Sequence, residues 1–423
     1  MKKVINVINI YKKHFKAGFF YTVTSLFSTF TSLLAGFLVL RWVGPEEMGI
    51  WQLLLIINNY AIIGNLGVNT GLGRELPFLL GKGEEEKAFS LASTAKAYCL
   101  FSSIITLLIT ICAAVIFYLR GSSYLFIITL IVVGVILSVN YYKEYILTLF
   151  RTNKAFNNLS YAFLFQGAVN IFLVPIIYFN KFQGFLLYNL ITIIISLLVL
   201  LAINPIRVKS RYSKQEFKIL IKTGMPLFVM SYMYGVSKTF IKFAILKFGG
   251  VEMLGLFSPV LTIRNSINTL PKIISQYIYP KFTYKIGVSG DSSQLWKPVK
   301  HISFMLLAGL GLIVLPIYYY MPELLELFFP KYIDSLFPSR MALLSGIIFS
   351  SFIGVITLNS IKGYKERLII SVIYLLVSAL IPFLLPVYFT NKIEGLAYSI
   401  LIIDIIYFAV AYFITKRKLL NTY

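Results

Sequence analysis

The chain has 423 residues, of which 58% are hydrophobic, 16% aromatic and only 13% charged, with a mean hydropathy of +0.81. A soluble domain carries about 25% charged residues, so water cannot solvate this surface and lipid must. The net charge of +23 would point to nucleic acid in a soluble protein, but here the cations are sorted by loop, and nucleic acid is the poorer reading.

Apolar runs fall at 17–40, 48–72, 91–118, 124–150, 158–179, 184–203, 224–247, 254–280, 301–320, 337–360, 367–389 and 395–415. About 20 apolar residues cross a bilayer core, so the pattern predicts an all-α integral membrane protein of twelve transmembrane helices. The first run follows a basic start, lacks a small-residue cleavage site and reads as a span, not a signal peptide. Of the 39 Lys and Arg residues, 26 lie in loops of one parity and seven in loops of the other. That asymmetry is the positive-inside pattern and puts both termini in the cytoplasm. Cys99 and Cys112 share one run, are too far apart on a helix to bridge, and are expected to pack against lipid or core.

The longest inward connection, 204–223, is basic and central, and predicts two six-helix lobes, 1–205 and 206–423. The halves repeat weakly. Gly44-Pro45-Glu46-Glu47-Met48-Gly49-Ile50-Trp51 matches Gly250-Val251-Glu252-Met253-Leu254-Gly255-Leu256-Phe257, and Asn180-Lys181-Phe182-Gln183-Gly184 matches Asn391-Lys392-Ile393-Glu394-Gly395. An even number of spans per half makes the repeats parallel, so pseudo-symmetric lobes with a cavity between them and alternating access are expected. Chance likeness among Gly-rich turns is the competing explanation.

These stretches, with Arg41-Trp42-Val43 ahead of Gly44, Gly64-Asn65-Leu66-Gly67-Val68-Asn69, Arg74, and Lys222-Thr223-Gly224-Met225-Pro226-Leu227, resemble the polysaccharide repeat-unit flippases (the Wzx group) of the multidrug/oligosaccharidyl-lipid/polysaccharide, or MOP, transporter superfamily. The resemblance runs over most of the chain and implies a MATE-like, V-shaped pair of lobes with a cavity lined by spans 1, 2, 7 and 8. It also implies a substrate class, undecaprenyl-pyrophosphate-linked O-antigen, capsule or similar repeat units in a bacterial cytoplasmic membrane. Polysaccharide polymerase and chain-length machinery are the implied partners. The family often has an Asp-Arg pair late in span 7, where this chain reads Ser237-Lys238-Thr239-Phe240.

A cation at mid-span costs about 2.5–3.5 kcal/mol on insertion scales, so intramembrane cations are the informative residues. Span 7 carries Lys238 and Lys242 on one face; span 8 carries Arg264, Asn268 and Lys272 at steps of four. At 1.5 Å per residue they predict a cationic ladder, Lys238 and Arg264 roughly 5 Å from the midplane. A ladder of that sign suits a pyrophosphate; snorkelling to the interfaces is the alternative. Arg41 at the end of span 1 is expected either to meet substrate phosphate or to anchor the interface. Asn58, Asn65 and Asn69 in span 2 form an amide stripe for sugar hydroxyls or for interhelical hydrogen bonds.

Two acids lie within spans. Glu144 is expected to pair with its neighbour Lys143. Asp404 is a candidate for a coupling proton or Na⁺, or a partner for a cation of the second lobe. The absence of an acid in span 1 argues against the alternative function, a MATE-like cation or drug antiporter. His14 and His301 sit at interfaces, Gly71-Leu72-Gly73 and Gly309-Leu310-Gly311 lack the rest of a phosphate-binding loop, and loops are too short for a catalytic domain. Neither an enzyme nor a cofactor is expected.

Overall fold

The computed structural model describes residues 2–153, 155–204, 206–289, 291–361 and 363–420, with backbone alone for 2–17 and for several positions between 270 and 289. The expected cytoplasmic charges Lys154 and Lys362, and the side chains of Lys281, His14 and the basic N-terminal arm, lie outside the described residues.

The described residues are almost wholly helical: α1 (Lys2–Trp42), α2 (Pro45–Ala61), α3 (Val68–Gly81), α4 (Glu85–Leu119), α5 (Tyr124–Thr152), α6 (Phe156–Phe172), α7 (Val174–Ala202), α8 (Lys214–Leu256), α9 (Ser258–Ser289), α10 (Trp296–Tyr319), α11 (Met321–Phe328), α12 (Leu336–Ser351), α13 (Val355–Ser360), α14 (Tyr364–Leu384) and α15 (Lys392–Leu420). In lipid every backbone polar group must be satisfied within the segment, and helices achieve this. The predicted turns recur as backbone breaks: Lys181 in α7 has φ 47° and Gly250 in α8 has φ 70°.

Among the described residues, eight helices are long and apolar enough to cross a membrane, nine if the bent α2–α3 pair is one span. This is a multi-pass membrane protein. The expected count of twelve needs three more, and each falls short for a visible reason. Helix α6 has 17 residues, and α8 and α9 carry the lysines, the arginine and the hydroxyl and amide residues that lower their hydropathy.

The chain divides into two compact units, and their boundary departs from the expected cut at 205. Unit 1 comprises Met1–Trp42 and Ile57–Val229; unit 2 comprises Val43–Ile56 and Met230–Tyr423. The start of α2 thus packs with the second half of the chain, and the linker with the start of α8 packs with the first.

In unit 1, Val68, Leu72, Leu91, Tyr145, Phe150, Leu200 and Leu220 belong to one apolar core. Helices α4 and α5 lock through reciprocal bonds in which the Ser103 and Ser138 hydroxyls each donate to the other's carbonyl at 2.7 Å. The buried Val208 and the Lys96 ammonium, which donates to its carbonyl at 2.8 Å, hold the linker against α4. In unit 2, the segment containing α12 is 72% buried across its most apolar window, against 17% for α4 in unit 1. The small buried residues of α12, Ser339, Ala342, Ser345, Gly346 and Ser350, allow neighbouring backbones to approach closely. The exposed face of α4, with Phe101, Ile104, Leu108, Ile109 and Ile116, is a surface made for acyl chains. Cys99 is buried and Cys112 exposed on the same helix.

The glycines of the repeated motif are contact points within unit 2. A Cβ on Gly255 would overlap the Pro45 carbonyl, and one on Gly49 the Val251 carbonyl. In unit 1, Gly224 lies as closely on Gly67.

Candidate functional site

Helix α8 brings Lys238 and Lys242 to one face, as its spacing predicts. The Lys242 ammonium donates to Gln52 Oε1 at 2.8 Å. The Lys238 ammonium lies 4.5 Å from the centroid of the Tyr234 ring, with no hydrogen bond or close salt bridge among the described residues, though the Asp404 carboxylate acts on it from farther away. A cation over an aromatic face is worth about 2 kcal/mol when desolvated, which holds the ammonium without cancelling its charge.

Arg264 departs from the expected ladder. Its Nη2 donates to both Asp404 oxygens, at 2.5 and 2.7 Å, and its Nε to Oδ2 at 3.1 Å. Asp404 also accepts from the Ser345 hydroxyl, and Arg264 reaches the Tyr374 hydroxyl at 3.4 Å. The pair is buried, with Asp404 fully inaccessible. Two opposite charges withdrawn from water persist only when their geometry and remaining hydrogen bonds are satisfied. The Arg264 charge is therefore spent within unit 2, and both Asp404 oxygens are occupied, so neither residue is free in this conformation for the substrate and coupling-ion roles expected of them. Of the two expectations for Asp404, the pairing with a second-lobe cation is the one seen. Asn268 accepts from the Ser350 hydroxyl at 2.5 Å, while Lys272 is exposed.

Around these cations stands a group of rings that spacing along the chain did not reveal. Tyr234 stacks on Tyr374 at 5.4 Å, Phe349 on Tyr407 at 4.7 Å, and Tyr374 meets Tyr407 edge to face at 5.0 Å. The rings come from α8, α12, α14 and α15. Their even spread through an aromatic-rich sequence left no local signal.

Unit 1 holds the other candidate. A cavity of about 700 Å³ is lined by Asn65, Asn69, Thr70, Gly73, Pro77, Glu144, Thr148, Arg151, Thr152 and Phe156. It lies beside the break between α2 and α3, where Leu66 and Gly67 take φ of 49° and 77°. The carbonyls released by the break are met by tyrosines of other helices, Tyr98 donating to Gly64 at 2.7 Å and Tyr141 to Ala61 at 2.5 Å. Asn69 accepts from the Cys99 thiol at 3.4 Å, but its Nδ2 and Asn58 Oδ1 are buried without a partner among the described residues. Interrupted spans lining a polar cavity mark ligand sites in transporters. Glu144, Thr148 and Arg151 are members that sequence reading did not place there.

The expected Lys143–Glu144 ion pair is not among the described salt bridges. Glu144 faces the large cavity, whereas Lys143 lines a different one, because consecutive helical residues point about 100° apart. Arg41 is exposed at the end of α1.

No sequence-family model matches the chain, and no curated protein does. Solved structures do. The inward-facing conformation of a multidrug resistance MATE family transporter of the MOP superfamily has a TM-score of 0.73 at 13% identity, over 94% of this chain and 98% of that one. An outward-facing MATE transporter scores 0.66 at 16% identity, over 96% and 95%. This chain has the MOP-transporter fold. A MOP superfamily transporter from Pyrococcus furiosus, described by the reverse polarity of its binding pocket and a suggested different function, scores 0.59 at 15% identity, over 96% and 95%.

Proposed function

We propose that the protein is a secondary flippase that moves an undecaprenyl-pyrophosphate-linked oligosaccharide from the inner to the outer leaflet of a bacterial cytoplasmic membrane by alternating access. The observation that carries this reading is Lys238: an ammonium within a span, cradled by an aromatic ring, while the nearby Asp404 carboxylate that also acts on it is hydrogen-bonded to Arg264. With Lys242 one turn away it offers two positive charges to a pyrophosphate. At an effective dielectric near 20, one ammonium 4 Å from a phosphate oxygen contributes about 4 kcal/mol of attraction.

The amides and hydroxyls of the unit 1 cavity, Asn65, Asn69, Thr70 and Thr148, are suited to sugar hydroxyls, with the orphaned Asn69 Nδ2 as a ready donor. The inside-negative potential favours outward movement of an anion by about 2.3 kcal/mol per charge per 100 mV, so the reading does not need Asp404 as a coupling site. The Pyrococcus transporter, described by the reverse polarity of its binding pocket and a suggested different function, supports a function other than multidrug transport on this fold.

A second reading, a MATE-like cation or drug antiporter, is favoured by one observation: Glu144 stands on the larger cavity with no ion pair among the described residues.

The test is Lys238→Met in a strain whose surface glycan requires this protein. We expect lipid-linked intermediates to build up in the inner leaflet, with export reduced about tenfold or more, the equivalent of roughly 1.4 kcal/mol, while the protein stays folded and abundant. Normal export by folded K238M overturns the flippase mechanism, and drug efflux abolished by Glu144→Gln supports the antiporter.

A further inference from the structure

A second cavity of about 380 Å³ lies within unit 1 among α1, α5, α6 and α7, and its lining includes Ser28, Ser32, Lys143, Gln166, Tyr188 and Asn189. Ser28, Asn170 and Thr192, which also line it, stand near the midpoints of their predicted spans, so the cavity sits at the depth of the bilayer centre.

Lys143 supplies its charge. No Asp or Glu is among the lining residues, Glu144 faces the other cavity, and Lys143 has no hydrogen bond or ion pair among the described residues. Lys143 is half-buried, and the one carboxylate that acts on it, Glu144, is absent from this lining, so an anion in the cavity would give the ammonium a partner on this side.

The hydrogen bonds show which other donors remain. Thr29 and Thr192 donate to carbonyls of their own helices, Ser25 at 2.8 Å and Asn189 at 3.0 Å. The Asn170 amide serves the Ser28 carbonyl and the Thr31 hydroxyl, the Asn189 amide the Phe185 carbonyl, and the Gln166 amide Asn170 Oδ1. The Lys143 ammonium and the hydroxyls of Ser28, Ser32 and Tyr188 are left without an acceptor among the described residues. Gln166 Oε1 is a buried acceptor without a donor, and one of the three ammonium protons can serve it. One positive charge with three hydroxyl donors and no carboxylate complements a single negative charge.

We propose that this cavity is a binding site for a small monovalent inorganic anion, held by Lys143 and the hydroxyls of Ser28, Ser32 and Tyr188. The site is distinct in its residues from the lysines of α8 and stands whether or not the protein is a flippase.

The test uses the full-length purified protein in lipid nanodiscs, with chloride as the probe. Its melting temperature is followed as sodium chloride replaces sodium gluconate at constant ionic strength, and radiolabelled chloride is counted at equilibrium. A saturable upward shift is expected, half-complete at a concentration on the order of millimolar, with about one chloride per chain. Lys143→Met is expected to abolish both signals. Ser32→Ala and Tyr188→Phe, which retain the charge, are expected to weaken chloride binding several-fold and show the site even if K143M fails to fold. Equal melting in chloride and gluconate, chloride binding that survives in folded K143M, or unchanged affinity in both S32A and Y188F overturns the proposal.

Discussion

The two units treat intramembrane polarity in opposite ways. In unit 2 the strongest charges are consumed: Arg264 and Asp404 satisfy each other, with Ser345 and Tyr374 filling out the network. In unit 1 the polar groups stay open, and Asn69 and Glu144 face a cavity of about 700 Å³, while Lys143 faces another of about 380 Å³. A cation in a span is thus not by itself a ligand site. What decides is whether the fold delivers a carboxylate to it. Lys238 and Arg264 are both cations within spans of the same unit, yet one rests on a ring and the other is neutralised.

That contrast is broken most severely at Asp404. Asp404→Asn leaves Arg264 buried without a counter-charge, and a loss of about 3–5 kcal/mol is expected, read as a fall in melting temperature and in folded yield. The double variant Arg264→Met, Asp404→Leu removes both charges and should recover most of that loss. A double variant no better than D404N would show that the pair is needed for more than mutual neutralisation.

Smaller effects sharpen the comparison. Gly255→Ala places a methyl on the Pro45 carbonyl, and overpacking of this kind costs about 1–3 kcal/mol; a thermal melt measures it. Tyr98→Phe removes the donor to the Gly64 carbonyl at the α2–α3 break, an expected loss of about 1 kcal/mol, with faster amide exchange confined to 61–69 as its signature.

The smallest effect lies outside the bilayer. Hydrogen bonds from Ser213 and Ser90 hold the Glu216 carboxyl below its ordinary value of 4.5. A carboxyl lowered in the folded state contributes stability above its unfolded value and loses it as pH falls through the folded one. Glu216→Gln should therefore lower stability slightly at neutral pH and flatten the acid limb of the melting profile below about pH 4.5.

Much of the fold could be read from the sequence, and the misses have physical causes. The turns at Lys181 and Gly250 were visible because loop chemistry interrupts hydropathy locally. The polar stripe of Asn65 and Asn69 was visible in the sequence, which left sugar contact and interhelical bonding open; that both line a cavity within unit 1 was decided by packing. Lys143 and Glu144 interact electrostatically but line different cavities, because adjacency along a helix separates side chains around its axis. Arg264 and Asp404 are 140 residues apart, and spacing along one helix carries no information about that encounter. The aromatic group around Lys238 draws on four helices and was invisible for the same reason. The unit boundary moved because the ends of α2 and α8 pack with the opposite half of the chain.

Solvent, helicity and the places where spans turn were written in the order of residues, since each is a sum over neighbours within about 20 positions. Which cations keep their charge, which amides stay unpaired and where cavities open were settled by packing between helices distant in sequence. Hydropathy is additive along a chain, whereas the cancellation of one charge by another depends on a few ångströms between groups that meet only in the folded molecule.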